Sequence, residues 1–330
     1  LIVDVEMRES PFATDQPERW FWFEPPFHPG QSALLHQQPD NIYRIDLQLG
    51  PDADPASEAA EAKVIPRIKA IVGDKPFSLD WMSVYKFRCA KLDRFVHNRV
   101  LFVGDSAHVV SPFGARGGNG GIQDVDNLGW KLAAVLAGRA DPALLETYHD
   151  ERSHGSQENI MNSSRATNFM TPKTSMEALF RNEVLKLAHD LPFARKLINS
   201  GRLSVPCSLE GRALQTKGEC TVGSGHAVVD APLRNREWLV ERLQGDFLLA
   251  GFGDVKLPDI SGLNRLGIGH RSDDYPCVEP ANEYAVSRYG DGSIYLFRPD
   301  GHVAASFSSS DVNLISAAFD RARGLTPQSS

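Results

Sequence analysis

No apolar run in this chain approaches the ~18 residues that a bilayer-crossing helix needs, so a membrane span is not expected. The opening stretch LIVDVEMRES is too short and too acidic to read as a secretory signal. Cysteine is scarce. The four thiols at 89, 207, 220 and 277 contain no CxxC pair and fit no zinc spacing, which leaves structural thiols in a reduced, cytoplasmic setting as the expectation. A basic excess is also missing. Thirty-five Lys and Arg against 42 Asp and Glu give a net charge of −7, which argues against nucleic acid or an anionic membrane surface as a partner. A strand–GxGxxG–helix unit is absent too. The GxG pairs at Gly223–Gly225 and Gly267–Gly269 open no βαβ unit.

What is present is an ordinary globular composition over 330 residues, 42% hydrophobic and 23% charged, enough for about two domains. The chain is organised around residues 99–138. Arg99 to Val103 is a short apolar run expected as a buried strand. Gly104 to Gly121 carries glycine at 104, 114, 117, 118, 120 and 121 and reads as a loop. A helix is predicted from about Ile122 to Ala137, with Ile122, Val125, Leu128, Leu132, Val135 and Leu136 on one face and Gly138 as its stop. Glycine lets a ligand approach the main chain, and the helix start favours an anion or an electron-rich oxygen. Asp105 can accept hydrogen bonds from ribose-type hydroxyls. Ser106 and Ala107 read as packing, and His108 either braces the loop or touches a ligand. Asp124 and Asn127 are read as helix-start residues, and Trp130 and Lys131 as packing off the apolar face.

The spacing GDSAHxxxPxGxxGxNxGxxDxxNLxWKLA, kept from Gly104-Asp105 through Pro112, Gly117, Asn119, Asp124 and Asn127 to Trp130-Lys131, resembles the second FAD-binding motif of the group A flavoprotein aromatic hydroxylases. These are the para-hydroxybenzoate and phenol hydroxylase-like monooxygenases, including the 3-hydroxyphenylpropionate hydroxylase branch. The resemblance implies that Gly104 and Asp105 meet FAD hydroxyls, that Pro112 and the loop of Gly117, Gly118 and Asn119 pass along the isoalloxazine ring, and that backbone N–H groups of that loop stabilise negative charge on it. It departs from the family at Ala115-Arg116, where many members have Gly-Gln, and at Gly118, where many have Met or Leu.

The rest of the chain extends the likeness. Strands are predicted over residues 1–6, 32–36 and 42–49, and over Phe77 to Arg88. In the family this sheet roofs the substrate pocket, which makes Gln48, Tyr85, Phe87 and Phe113 substrate-site candidates. Arg44 and Asp46 read as a structural pair. A helix over residues 56–72 is expected to kink or break at Pro66. Asp141-Pro142 caps a long polar helix to about Phe169, on which Glu151 and Arg152 read as a solvated or interdomain face. Helices follow at 175–188 and 192–200.

Residues 201–226 read as a linker. Strands at 247–252, 293–298 and 303–307 and a helix at 311–323 then resemble the thioredoxin-like C-terminal domain of the phenol hydroxylase branch, RPDGHVAA being the most similar piece. Lacking CxxC, this domain is expected to have no dithiol activity.

The expected fold is α/β (α+β). Residues 1–200 form a partial FAD and substrate domain, 201–226 a linker, and 227–330 a thioredoxin-like domain. The implied activity is FAD-dependent, NADPH- or NADH-using hydroxylation of an aromatic small molecule with O2, in a complete enzyme. A homodimer is a possible partner arrangement, and the missing N-terminal half implies a fragment of a longer product, a second chain that supplies it, or lost activity. Two other readings stay open: a catalytically inactive remnant acting as a binding or assembly module, and a flavin oxidoreductase that does not hydroxylate. No residue demands the role of general base.

Overall fold

The computed structural model describes residues 1–14, 16–112, 115–198, 205–243 and 245–325. These fall into two compact units, residues 1–88 with 165–199, and residues 89–164 with 200–330.

The first unit is built on a five-stranded antiparallel sheet. Its strands are β1 (Ile2–Glu6), β2 (Arg19–Trp22), β3 (Ala33–Gln37), β4 (Ile42–Leu47) and β5 (Ser78–Ser83), in the order β2-β3-β4-β1-β5. Alternation decides which face is core. Val3 and Val5 of β1, Leu35 of β3 and Tyr43, Ile45 and Leu47 of β4 are buried against Val64, Ile68 and Val72 of the helix Glu61–Val72. Arg44 points to the opposite face. It does not pair with Asp46; its guanidinium donates two hydrogen bonds, at 2.8 and 2.7 Å, to Asp4 on the neighbouring strand. The register explains this, because Arg44 lies directly across from Asp4. The predicted break at Pro66 is displaced. The helix runs through Pro66, and the interruption falls at Ala59–Ala60, after a one-turn helix Pro55–Glu58 capped by Asp54. The helices Ser175–Asp190, with a Thr174/Glu177 capping box, and Pro192–Ile198 also belong to this unit.

The second unit contains the glycine-rich region and the C-terminal sheet together. The run at 99–103 is less regular than expected. Only Val100–Leu101 is strand, paired antiparallel with Val96–His97, and Val100 stays exposed. A long helix Glu146–Met170 begins after the capped turn Asp141–Leu145 and crosses this region, passing into the first unit at residue 165.

The C-terminal sheet has five strands in the spatial order Cys277–Val278, Asn264–Ile268, Leu248–Phe252, Ser293–Phe297, Val303–Phe307. Its first three strands are parallel and the last two antiparallel. The helix Val312–Ala322, capped by Asp311, packs Ile315, Ala318 and Phe319 into one of its two apolar clusters. Strand Asn264–Ile268 and helix Tyr284–Tyr289 carry weak sequence signals and are additions made by the tertiary structure.

Residues 201–204 of the expected linker lie outside the described residues. From 205 onward the segment is packed chain: Leu209, Leu214 and Val222 are buried, and Gly225 N–H donates to Val303 O at 2.7 Å. Gly225 is held at φ +85°, and a Cβ there would stand 2.2 Å from the backbone nitrogen of Glu210. Both strain and overlap with backbone follow from any side chain at this position. Gly225→Ala is therefore expected to lower unfolding free energy by roughly 2 kcal/mol or more. A chemical denaturation midpoint unchanged by the substitution would contradict this packing.

Candidate functional site

The glycine-rich region is more ordered than a loop. Gly104–Ser106 forms a single 3-10 turn, and Ser106 Oγ donates back to Val103 O at 2.7 Å. His108–Val109 pairs with Ala90–Lys91. The helix then starts at Arg116, six residues earlier than the apolar pattern suggests, and runs to Leu136. Gly117, Gly118, Gly120 and Gly121 therefore sit inside its first two turns. Glycine is a poor helix former, and close packing accounts for two of the four. A Cβ on Gly121 would lie 3.3 Å from the Cα of Gly104, and one on Gly120 would lie 3.1 Å from the His108 ring.

The buried face of this helix is its polar one. Arg116, Gly120, Asp124, Asn127, Leu128 and Lys131 are buried, while Ile122, Val125 and Leu136 of the predicted apolar face are exposed. Asp124 is thus no helix-start residue. It lies fully buried in the third turn, where Oδ2 accepts from the Gly104 N–H (2.9 Å) and from His108 Nε2 (2.7 Å). Its Oδ1 accepts from Arg152 Nε at 2.7 Å. Burial works against this carboxylate, but His108 and Arg152 outweigh it and hold Asp124 below the ordinary aspartate range. His108 is therefore a brace. Arg152 also donates to Gly120 O at 3.3 Å, so one guanidinium holds both the helix start and the aspartate that fixes the Gly104 turn.

A second buried cluster lies one and two turns further along. Asn127 and Lys131 share a helix row and both donate to Glu151 Oε2, at 2.8 and 2.7 Å. Arg298 donates to both oxygens of Glu151, at 2.6 and 2.8 Å, and its Nε donates to Asp300 at 3.0 Å. Trp130 Nε1 donates to Asp300 at 3.2 Å. Glu151 and Arg152, expected on a solvated or interdomain face, are 1% and 3% exposed, so the solvated alternative falls away. Two anions and two cations balance one another in the buried interior. Burial would raise the Glu151 carboxyl, yet Arg298 and Lys131 hold it well below the usual carboxylate range. Burial pushes the Lys131 ammonium down to about 8 against the opposing pull of Glu151.

The proposed cofactor residues gather in this second unit. Asp105 is exposed beside the braced Gly104, which takes φ +57°. Pro112 O accepts from the Ala115 N–H at 3.0 Å, turning the chain into the helix. Ala115, where the family often has glycine, occupies the left-handed region at φ +53°. Gly118 and Asn119 are exposed at the helix start, where the leading N–H groups of a helix lack intrahelical acceptors. The Asn119 side chain turns back onto Ala115 O at 2.7 Å. A Cβ on Gly118 would meet nothing within 4 Å. An open, positively polarised helix start beside an exposed aspartate fits an electron-rich ring edge and its polyhydroxyl chain.

The substrate candidates are less concentrated. Tyr85 and Phe87 lie past the end of β5, 63% and 49% exposed, with ring centroids 5.3 Å apart. Gln48 is occupied within the first unit: its Oε1 accepts from Ser32 N–H and Oγ at 3.1 and 2.8 Å. Phe113 lies outside the described residues. No helix among the described residues is long and apolar enough to cross a membrane, and the four cysteines are free thiols.

Residues 2–163 match the family described as FAD binding domain. Just under half of the chain thus resembles an FAD binding domain. Tetracenomycin B2 monooxygenase-dioxygenase of Streptomyces olivaceus is 43% identical over 99 residues, which are 30% of this chain and 18% of that protein. The 3-(3-hydroxy-phenyl)propionate/3-hydroxycinnamic acid hydroxylase of Escherichia coli K12 is 30% identical over 196 residues, 59% of this chain and 35% of that one. The chain thus spans about a third or less of these relatives.

Among solved structures, the flavin-dependent monooxygenase PieE, in complex with FAD and substrate, superposes with a TM-score of 0.72 at 20% identity, over 98% of this chain and 65% of that one. The OxyS anhydrotetracycline hydroxylase of Streptomyces rimosus gives 0.66 at 22%, over 99% and 63%. At these identities the likeness shows the fold.

Proposed function

We propose that this chain supplies the part of an FAD-dependent monooxygenase that receives the flavin ring and ribityl chain, and that the whole enzyme hydroxylates a phenolic or other aromatic compound with O2 and NADPH or NADH. The observation that carries the reading is the Gly104 turn, locked by Asp124, His108 and Arg152 beside an open helix start. Asp105 would accept hydrogen bonds from flavin hydroxyls. The N–H groups of Gly117, Gly118 and Asn119 would face the electron-rich edge of the ring. Flavin, when bound, supplies the oxygen-activating redox chemistry. The protein's share is to orient the ring, to stabilise negative charge with main-chain dipoles and to keep water away. Tyr85 and Phe87 are proposed as aromatic contacts for the substrate, and the C-terminal sheet as a thioredoxin-like domain used for packing or dimer contacts. Free thiols support a reducing, cytoplasmic setting.

Flavin fluorescence quenching on the 330-residue chain tests this reading. Binding is expected, and Asp105→Ala is expected to weaken it about 10-fold with no change in melting temperature, since Asp105 is exposed. Equal affinity in parent and variant would remove Asp105 from the site.

A further inference from the structure

A cavity of about 330 Å³ opens on the second unit, lined by none of the brace residues Asp124, His108 and Arg152. One wall is a single face of the helix Glu146–Met170, formed by His149, Ser153 and Gln157 at four-residue spacing with His154 beside them. Lys91, on the short strand paired with His108–Val109, and Arg212, in the turn after Leu209, close the other sides.

The hydrogen-bond pattern sets the polarity of this space. His149 Nδ1 accepts from the Phe95 N–H at 3.2 Å, which leaves the ring proton of a neutral imidazole on Nε2 and makes that atom a donor. His154 Nδ1 lies 3.3 Å from Arg212 Nη2 and serves as its acceptor. Burial and the Arg212 guanidinium both press His154 toward its neutral form. The Nε of Arg212 is buried and meets no acceptor. Lys91 Nζ donates to the Ser153 hydroxyl at 3.0 Å, keeping two further N–H groups. The carboxylate of Asp150, exposed, is the one anion of the lining. Two permanent cations, an imidazole donor, a hydroxyl and an amide therefore converge on a space large enough for a phosphate and an attached sugar.

We propose that this cavity binds a phosphate monoester anion, with Arg212 and Lys91 as the charged contacts and His149 and Gln157 as neutral donors. Arginine's planar fork and lysine's mobile ammonium suit the tetrahedral dianion, and they must outweigh the exposed Asp150 carboxylate in the lining and the Glu158 carboxylate beside His154. Such a group arrives either as a free small phosphate or as the 2′-phosphate of an adenine nucleotide.

The site is tested on the 330-residue chain by isothermal titration with inorganic phosphate and with 2′,5′-ADP, at low ionic strength because the attraction is screened by salt. Saturable binding of either probe is expected. Lys91→Met, which loses one half-buried hydroxyl contact, is expected to weaken it about 10-fold, and Arg212→Gln by at least as much. A preference for 2′,5′-ADP of roughly 10-fold over phosphate identifies a nucleotide as the source; equal affinities identify a small free phosphate. Circular dichroism shows whether each variant is folded, and Lys91→Met serves where Arg212→Gln is not. No heat with either probe in the parent, or undiminished binding in a folded Lys91→Met variant, overturns the proposal. The titration is run without flavin, so its outcome is independent of whether FAD binds.

Discussion

Arg298→Met is expected to lower the unfolding free energy by about 3–5 kcal/mol, the cost of leaving one member of a buried ion pair uncompensated. The guanidinium is 0% exposed and is shared between both oxygens of Glu151 and the carboxylate of Asp300. Removing it leaves two buried anions with Lys131 as the fully buried cation and with the neutral donors Asn127 and Trp130. Glu151→Gln is expected to cost a similar amount, and the double substitution less than the sum, because the two side chains are in direct contact. Urea denaturation of the three variants measures this. Additive losses would mean that the pair is not coupled.

The same cluster sets the acid limit of the fold. Glu151 and Asp300 are both held below the ordinary carboxylate range in the folded chain. The folded pKa lies under the unfolded one, so the unfolded state binds more protons as pH falls. Their contribution is complete above about pH 4.5 and is lost as pH drops further, toward the folded pKa. A denaturation midpoint that declines below about pH 4.5 in the parent, and declines less in Glu151→Gln, is the expected pattern.

Asp124→Asn is expected to weaken flavin binding by about 10-fold or more and to destabilise the chain by roughly 2–4 kcal/mol. An amide cannot serve three donors. One carbonyl oxygen replaces two carboxylate oxygens, and the new NH2 confronts the Gly104 N–H, His108 or Arg152. Asp124 touches no proposed flavin atom. Its effect runs through the position of the Gly104 turn, which makes it a positioning residue. The two measurements separate it from Asp105: Asp124→Asn moves both flavin affinity and melting temperature, Asp105→Ala only the first. An Asp124→Asn variant with parental affinity would show that the brace does not shape the flavin site.

The sequence by itself carried the likeness to an FAD binding domain, because that information is local. Fixed offsets from Gly104-Asp105 to Trp130-Lys131 survive without knowledge of any partner, and the alternation in Ile42–Leu47 and the capping signals at Asp141 and Asp311 are read from neighbouring residues. What the tertiary structure decided is which face of each helix is inside. Periodicity puts Ile122, Val125 and Leu136 inward, and the fold buries Asp124, Asn127 and Lys131 instead. Hydrophobic patterning assumes that buried means apolar. That assumption fails where every buried charge finds a partner far along the chain: Glu151 meets Lys131 across 20 residues and Arg298 across 147. For the same reason the WKLA and RPDG pieces, which read as separate motifs, become one network only when the chain has folded around them.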